Sequence, residues 1–219
     1  MWEFIDKVIY INLDHREDRR KIMKKFFEKG QIPEDKIVRF SAFHIKRGIG
    51  CLKSHTGALQ MAKDNGWKNV LILEDDLEWL EFESGYKQLE ELVKLPRWDV
   101  IQLVGWYVKY DFPRIYHTLN AGAYLVNSSY YDTLLANRYS ALRGIRSFET
   151  IYKGVAKYTT DVYWNHLAKN DYWYGLYPCI CRQVNTYSDN MNYTYQANQV
   201  YGIYRAEDKS KFFSPIQNA

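Results

Sequence analysis

The chain is short of cysteine, of net charge and of long apolar runs. Its three cysteines, Cys51, Cys179 and Cys181, are too few for a disulfide framework. Cys179 and Cys181 also stand too close together for the usual metal quartet, so a reducing interior is the default expectation. No apolar run approaches the roughly 20 residues that a membrane-crossing helix needs, which excludes a membrane span. Met1 to Lys7 lead straight towards a strand and show no basic-then-apolar leader, so the expected location is cytoplasmic. The formal charge is only +4 and forms no basic stripe, which argues against a nucleic-acid partner. Such a mild excess suits a phosphorylated or anionic ligand.

Aromatic side chains are plentiful, at 17% with 20 Tyr and 7 Trp. Such rings pack well in cores and also stack on sugar rings, and composition leaves both uses open. A 47% hydrophobic and 26% charged content is ordinary for a globular protein. The length of 219 residues suits one α/β domain over residues 1–219, although the stretch after about residue 193 resists assignment.

Periodicity predicts alternating strands and helices. Val8–Leu13 reads as a strand, followed by a helix through Met23, Phe26 and Phe27 that Gly30 stops. A short strand follows over Lys36–Ala42, then a helix from about Gly50 to the stop at Asn65-Gly66, and a strand over Asn69–Leu73. Leu77 to Leu95 reads as one helix closed by Pro96, and Trp98–Val104 as a strand. The aromatic and basic stretch from Trp106 to Arg114 suits a hairpin or a lid over a site. Gly122–Val126 reads as a strand and Ser129 to about Asn137 as a helix. A further helix begins at Asp161, Tyr172–Ile180 reads as a strand, and Gln183–Asn192 as a polar loop.

The chemistry concentrates at Asn69-Val70-Leu71-Ile72-Leu73-Glu74-Asp75-Asp76, where an apolar run meets three consecutive acids. Such a run reads as a strand buried on both faces of an α/β sheet. Side chains alternate along a strand, so Glu74 and Asp76 project to one side and Asp75 to the other. Clustered carboxylates repel one another, and burying them calls for a cation. A hard divalent ion of the Mg²⁺ or Mn²⁺ type is an apt partner, since it completes its shell with phosphates and water. In open α/β sheets ligands bind beyond the carboxyl ends of strands, where these acids fall. The simpler alternative is that Asp75 or Asp76 caps the helix expected to follow.

Other stretches carry the same double reading. Arg16, Arg19 and Arg20 cluster at a strand-to-helix turn, which suits a pyrophosphate through bidentate contacts. They equally suit a solvated helix face paired with Glu17 and Asp18. Ser54 and His55 lie in the first turn of a glycine-preceded helix, a natural anion site or a structural start. Asp161 reads either as a general base held at a helix start or as an ordinary N-cap.

In their order these stretches resemble glycosyltransferase family 25, which includes lipopolysaccharide and collagen galactosyltransferases. Ile11-Asn12-Leu13-Asp14-His15-Arg16-Glu17-Asp18-Arg19 resembles the family's opening strand and arginine turn. Gly48-Ile49-Gly50-Cys51-Leu52-Lys53-Ser54-His55 resembles its glycine-cysteine-serine-histidine motif. Leu71 to Asp76, Gly122 to Val126, Asp161 and Ser188-Asp189 match later positions. The resemblance implies a GT-A fold, that is, one Rossmann-like nucleotide-sugar domain built on a mixed central sheet. It implies a UDP-hexose donor (galactose or glucose), Mn²⁺ or Mg²⁺, inversion at the anomeric carbon, and a glycan or glycoprotein acceptor. Residue by residue, it assigns Glu74 and Asp76 to the metal and Asp75 to the donor side. Asn12, Arg16 and Arg19 fall on the nucleotide turn, Ser54 and His55 on the second motif. Asp161 falls where the base belongs, and Asp189 in a supporting role. His166 is a third-ligand guess. The alternative from another class is a catalytically silent scaffold of the same fold that binds a sugar nucleotide or glycan.

Overall fold

A computed structural model describes residues 1–45, 48–147, 155–189, 193–195 and 202–203. Along the chain run β1 (Lys7–Asn12), α1 (Glu17–Lys29), β2 (Ile37–Ser41), α2 (Ile49–Asp64), β3 (Asn69–Glu74) and β4 (Leu77–Trp79). Next come α3 (Phe82–Val93), β5 (Val100–Gln102), β6 (Trp106–Asp111), β7 (Arg114–Leu119), β8 (Ala123–Asn127) and α4 (Tyr131–Ser147). The short helices α5 (Thr160–Tyr163) and α6 (Asn165–Asn170) lead to β9 (Trp173–Gly175), β10 (Cys181–Gln183) and β11 (Thr186–Ser188). Two further strands, β12 (Tyr193–Tyr195) and β13 (Gly202–Ile203), lie in the stretch that the sequence left unassigned.

Among the described residues nine strands form one sheet in the order β13-β6-β7-β9-β5-β8-β3-β1-β2. β1 runs parallel to β2 and β3, whereas β8 runs antiparallel to both β3 and β5, so the sheet is mixed, as expected. The apolar run of β3 has the burial of a central strand, Val70 to Leu73 having no exposure. Its register against β1 pairs Ile9 with Ile72 and Ile11 with Glu74. Both strands therefore end at the same edge, and Asn12 falls beside the acids that follow Glu74. The segment from Trp106 to Arg114 is the β6–β7 hairpin of this sheet.

The aromatic residues answer the question that composition left open: many of them are core. Trp2 sits edge-on to Tyr86 at 5.0 Å, and Trp79 stacks on Phe26 at 4.1 Å. Trp79 Nε1 donates to the Phe26 carbonyl at 2.8 Å, and Trp2 Nε1 donates to the Gly30 carbonyl at 2.7 Å. Gly30 closes α1 where a Cβ would lie 2.8 Å from Trp79 Nε1, so the helix end and the indole fit only with glycine there. This cluster fixes α1 against β4, and with it the arginines at the start of α1.

Four predicted elements differ. Leu77 to Leu95 is not one helix: Leu77–Trp79 is strand β4, antiparallel to β10, and α3 begins only at Phe82. Leu77 and Trp79 are buried and Glu78 points outward to Arg182 at 2.6 Å, a period of two that wins over helix propensity. No helix starts at Asp75 or Asp76, which removes the capping alternative for those acids. Helix α4 runs on to Ser147 instead of ending near Asn137, because Ala141 and Ile145 continue its buried stripe onto Leu52 of α2. Only Trp173–Gly175 of the expected strand Tyr172–Ile180 is extended in the sheet, and the expected loop from Gln183 contains the end of β10 and all of β11. Lys46 and Arg47, part of the glycine-rich loop, lie outside the described residues. Among the described residues no helix is long and apolar enough to cross a membrane.

Trp79→Ala empties the contact between α1 and β4. It should lower stability by about 3–5 kcal/mol, read as a lower midpoint in urea unfolding. A change below about 1 kcal/mol would mean that the indole does not hold α1 in place.

Candidate functional site

The site begins where β3 ends. Glu74 Oε1 lies 3.4 Å from His55 Nε2 and accepts the Cys51 thiol at 3.7 Å, while Oε2 accepts from Gln183 Nε2 at 2.9 Å. The same Gln183 amide reaches Asp76 Oδ1 at 3.2 Å. Asp75 turns to the other flank, where it accepts from Asn12 Nδ2 at 2.6 Å and from Arg19 at 2.5 Å. The Arg19 guanidinium also lies 3.3 Å from Asp76, so it spans two of the acids, and it donates to the Tyr187 carbonyl at 2.9 Å. Asn12, Arg19, His55, Glu74, Asp75 and Asp76 thus come together at one sheet edge.

The remaining expected residues fall around this group. Arg16 does not face the acids at 74–76. It forks onto Asp18 at 2.9 and 2.8 Å and donates to Thr186 Oγ1, the Tyr187 carbonyl and the carboxylate of Asp189. That set occupies all five of its donors and straps β11 over the start of α1. Ser54 turns into its own loop: its hydroxyl donates to the Gly50 carbonyl at 2.7 Å and accepts the Phe43 N–H at 2.9 Å. Gly50 packs so tightly there that a Cβ would lie 2.3 Å from the Phe43 carbonyl. Asp161 is not an N-cap, since Thr159 holds that position; its Oδ2 accepts the Asn120 N–H at 3.0 Å. Asn120 in turn donates to Gln183 Oε1 at 2.8 Å, which links Asp161 to the acids through two side chains. His166 is 3.3 Å from the Asn137 amide and does not join the acidic group.

Sequence reasoning gave no role in the site to Gln183, Asn120, Cys51 or Tyr124. Gln183 and Asn120 carry no motif of their own, and only the β4–β10 pairing brings Gln183 to the acids. Tyr124 lies inside a strand that looked purely structural, yet its hydroxyl meets His55 Nδ1 at 2.8 Å.

Burial governs the electrostatics here. It pushes the Asp76 carboxyl up to about 7, with Arg19 pulling back and the neighbouring acids pushing further. Burial also raises Asp75, against the opposing pull of Arg19. Burial lowers His55, leaving a neutral imidazole at neutral pH, while its hydrogen bond to Glu74 favours the carboxylate. Glu74, Asp75, Asp76 and Arg19 together carry more negative than positive charge when the acids ionise, with oxygen donors on adjacent residues. A hard divalent cation fits that donor set, and Asp76 with Glu74 would hold it.

A cleft lined by Trp98, Asp99, Tyr130 and Asp171 lies at the opposite edge of the sheet, at the amino end of β5. Its two carboxylates are already engaged, Asp171 accepting from the Tyr130 hydroxyl at 2.5 Å and Asp99 from the Tyr172 N–H at 2.8 Å. It is remote from the chemistry.

A solved glycosyltransferase involved in the glycosylation of the major capsid of PBCV-1 superposes with a TM-score of 0.51 at 10% identity, over 78% of this chain and 81% of that one. The fold is of the GT-A glycosyltransferase kind. A second solved structure, A197 from STIV, superposes with a TM-score of 0.49 at 14% identity, over 91% of this chain and 97% of that one. No family model and no curated protein matches the chain. Within this GT-A-like chain the acids occupy the carboxyl ends of the parallel strands, on the side where such sheets bind ligands.

A carboxyl raised towards 7 in the folded chain and ordinary when unfolded binds its proton more tightly in the fold. Its contribution therefore weakens stability as pH rises from about 4 to 7. Asp76→Asn should accordingly gain stability relative to the parent across that window in metal-free buffer. Urea unfolding at both ends measures it, and a parallel pH response of the two proteins would show that Asp76 is ionised throughout.

Proposed function

We propose that this protein is a metal-dependent inverting glycosyltransferase. It would move a hexose, galactose or glucose, from a UDP-sugar to a hydroxyl of a glycan or glycoprotein acceptor. One observation carries the reading: three adjoining acids, Asp75 and Asp76 buried and Glu74 partly so, with Asp76 raised to about 7, at the carboxyl ends of β1 and β3 in a GT-A-like fold. The resemblance to family 25 at the same positions supports it, as does the capsid glycosyltransferase of like fold.

In this reading Asp76 and Glu74 would hold Mn²⁺ or Mg²⁺, which would offset the charge that builds on departing UDP. Asp75 and Asn12 define the donor side of the same edge, and Arg19 opposes the burial that raises Asp75 and Asp76 while adding positive charge towards the pyrophosphate. Arg16 acts by position, holding β11 and Asp189 against the arginine turn. His55, neutral and clamped by Tyr124, fixes the orientation of Glu74. Ser54 secures the loop before α2. Asp161 is the base: Asn120 fixes one carboxylate oxygen, and the other takes the proton of the acceptor hydroxyl as it attacks from the face opposite UDP. The Gln183–Asn120 bridge sets the distance between base and acids.

Calorimetric titration with UDP, with and without Mn²⁺, tests the donor site. Binding should require both the metal and Asp76, and Asp76→Ala should abolish it. Asp161→Asn should keep UDP affinity within a few-fold while transfer falls by roughly 10²–10⁴. Equal loss of binding and transfer in that variant would make Asp161 structural. UDP binding with no turnover of any UDP-hexose would favour the silent scaffold.

A further inference from the structure

Cys51 and His55 are four residues apart at the start of α2, so both present to the same helix face, and that face meets the end of β3. The Cys51 sulfur is 3.7 Å and His55 Nε2 is 3.4 Å from a single oxygen of Glu74, and the three ligand atoms lie within 4.8 Å of one another. A tetrahedral zinc ion, with bonds of about 2.3 Å to sulfur and about 2.0–2.1 Å to nitrogen and oxygen, holds its ligand atoms about 3.3–3.5 Å apart. Two of the three pairs, sulfur to oxygen at 3.7 Å and nitrogen to oxygen at 3.4 Å, already stand close to that spacing.

We infer that Cys51, His55 and Glu74 form a site for a thiophilic divalent cation of the zinc class, separate from the hard-ion position at Asp76. Three features argue for this ion and this place. Sulfur and imidazole select zinc-like ions over Mn²⁺ and Mg²⁺, which prefer oxygen. One thiolate and one carboxylate neutralise a divalent ion, so the filled site carries no net charge in a region where His55 is only 1% exposed. The orienting contact that ligating histidines require is in place, since Nδ1 meets the Tyr124 hydroxyl and leaves Nε2 directed at Glu74.

Glu74 divides its oxygens between the two positions. Oε1 faces Cys51 and His55, and Oε2 faces the Gln183 amide that also reaches Asp76. Thr160 Oγ1, 3.5 Å from the sulfur, is the neighbouring oxygen for a fourth ligand. With 26% of its side chain exposed, Glu74 gives the ion an entry. Loading replaces the thiol proton by the metal and releases it to solvent, so affinity rises with pH. The site stands independently of the transferase reading.

Cobalt(II) added to the metal-stripped full-length chain is the direct probe. One equivalent should bind with sulfur-to-cobalt charge-transfer absorption and tetrahedral visible bands, and zinc should displace it. The charge-transfer absorption should vanish in Cys51→Ser and persist in Asp76→Asn, and His55→Gln should weaken cobalt binding at least tenfold. Folded wild type that takes up no cobalt, or takes it up without a thiolate signal, overturns the proposal with no variant needed. A thiolate signal that survives in Cys51→Ser would place the metal on Cys179 or Cys181 and would overturn it as well. UDP titration of Cys51→Ser, read separately, tells loss of this site from failure of the donor site.

Discussion

Glu74, Asp75 and Asp76 are consecutive carboxyl groups at the end of a strand whose preceding residues have no contact with solvent, and such a group has to be compensated. The protein compensates it in three ways. Arg19 places a cation across Asp75 and Asp76, donors from Asn12 and Gln183 fill lone pairs, and Asp76 retains a proton up to about neutrality. The groups that surround the three acids come from different parts of the chain. Arg19 comes from α1, Asn12 from β1, Gln183 from β10 and His55 from α2. The architecture around the sheet edge follows from the need to hold those groups there.

This dependence explains features that otherwise look unrelated. The packing of Trp79 on Phe26 sets the position of α1, and so the reach of Arg19. The antiparallel pairing of β4 with β10 turns the chain back so that Gln183 meets both Glu74 and Asp76. Arg16 uses its donors to bind Thr186, Tyr187 and Asp189, which ties the later segment to the same turn. An acidic cluster short of positive charge is also a place where a cation and a phosphorylated donor can replace protein contacts at little further desolvation cost. The fold thereby leads to the proposed chemistry.

Much of this was legible in the sequence. The apolar run ending in three acids located the central strand and its edge, because period and burial act locally. The arginine turn, the glycine-led helix and the spacing of Met23, Phe26 and Phe27 were equally local signals. What escaped were features set by partners distant in sequence. Leu77–Trp79 looked helical because nothing nearby reveals that Cys181–Gln183 will pair with it. Arg16 looked free for a phosphate because Asp189 lies 173 residues away. Cys51 entered only as part of the glycine-led motif, although a cysteine and a histidine four residues apart at a helix start share one face, and an acid at a strand end supplies the third member. Asn137 and Arg138 broke the apparent stripe of α4, which concealed its continuation to Ser147; Arg138 is in fact buried, donating to the Thr160 carbonyl at 2.5 Å.

The central claim is that the acidic edge of β3 is the donor site. Diffraction from a crystal grown with UDP and Mn²⁺ tests it most directly, because anomalous scattering locates manganese without assumption. The account predicts a manganese peak bonded to Asp76, with the pyrophosphate of UDP beside it at the carboxyl ends of β1 and β3. Nucleotide seated in the cleft beside Asp99 and Tyr130, or manganese away from Asp76, would contradict it.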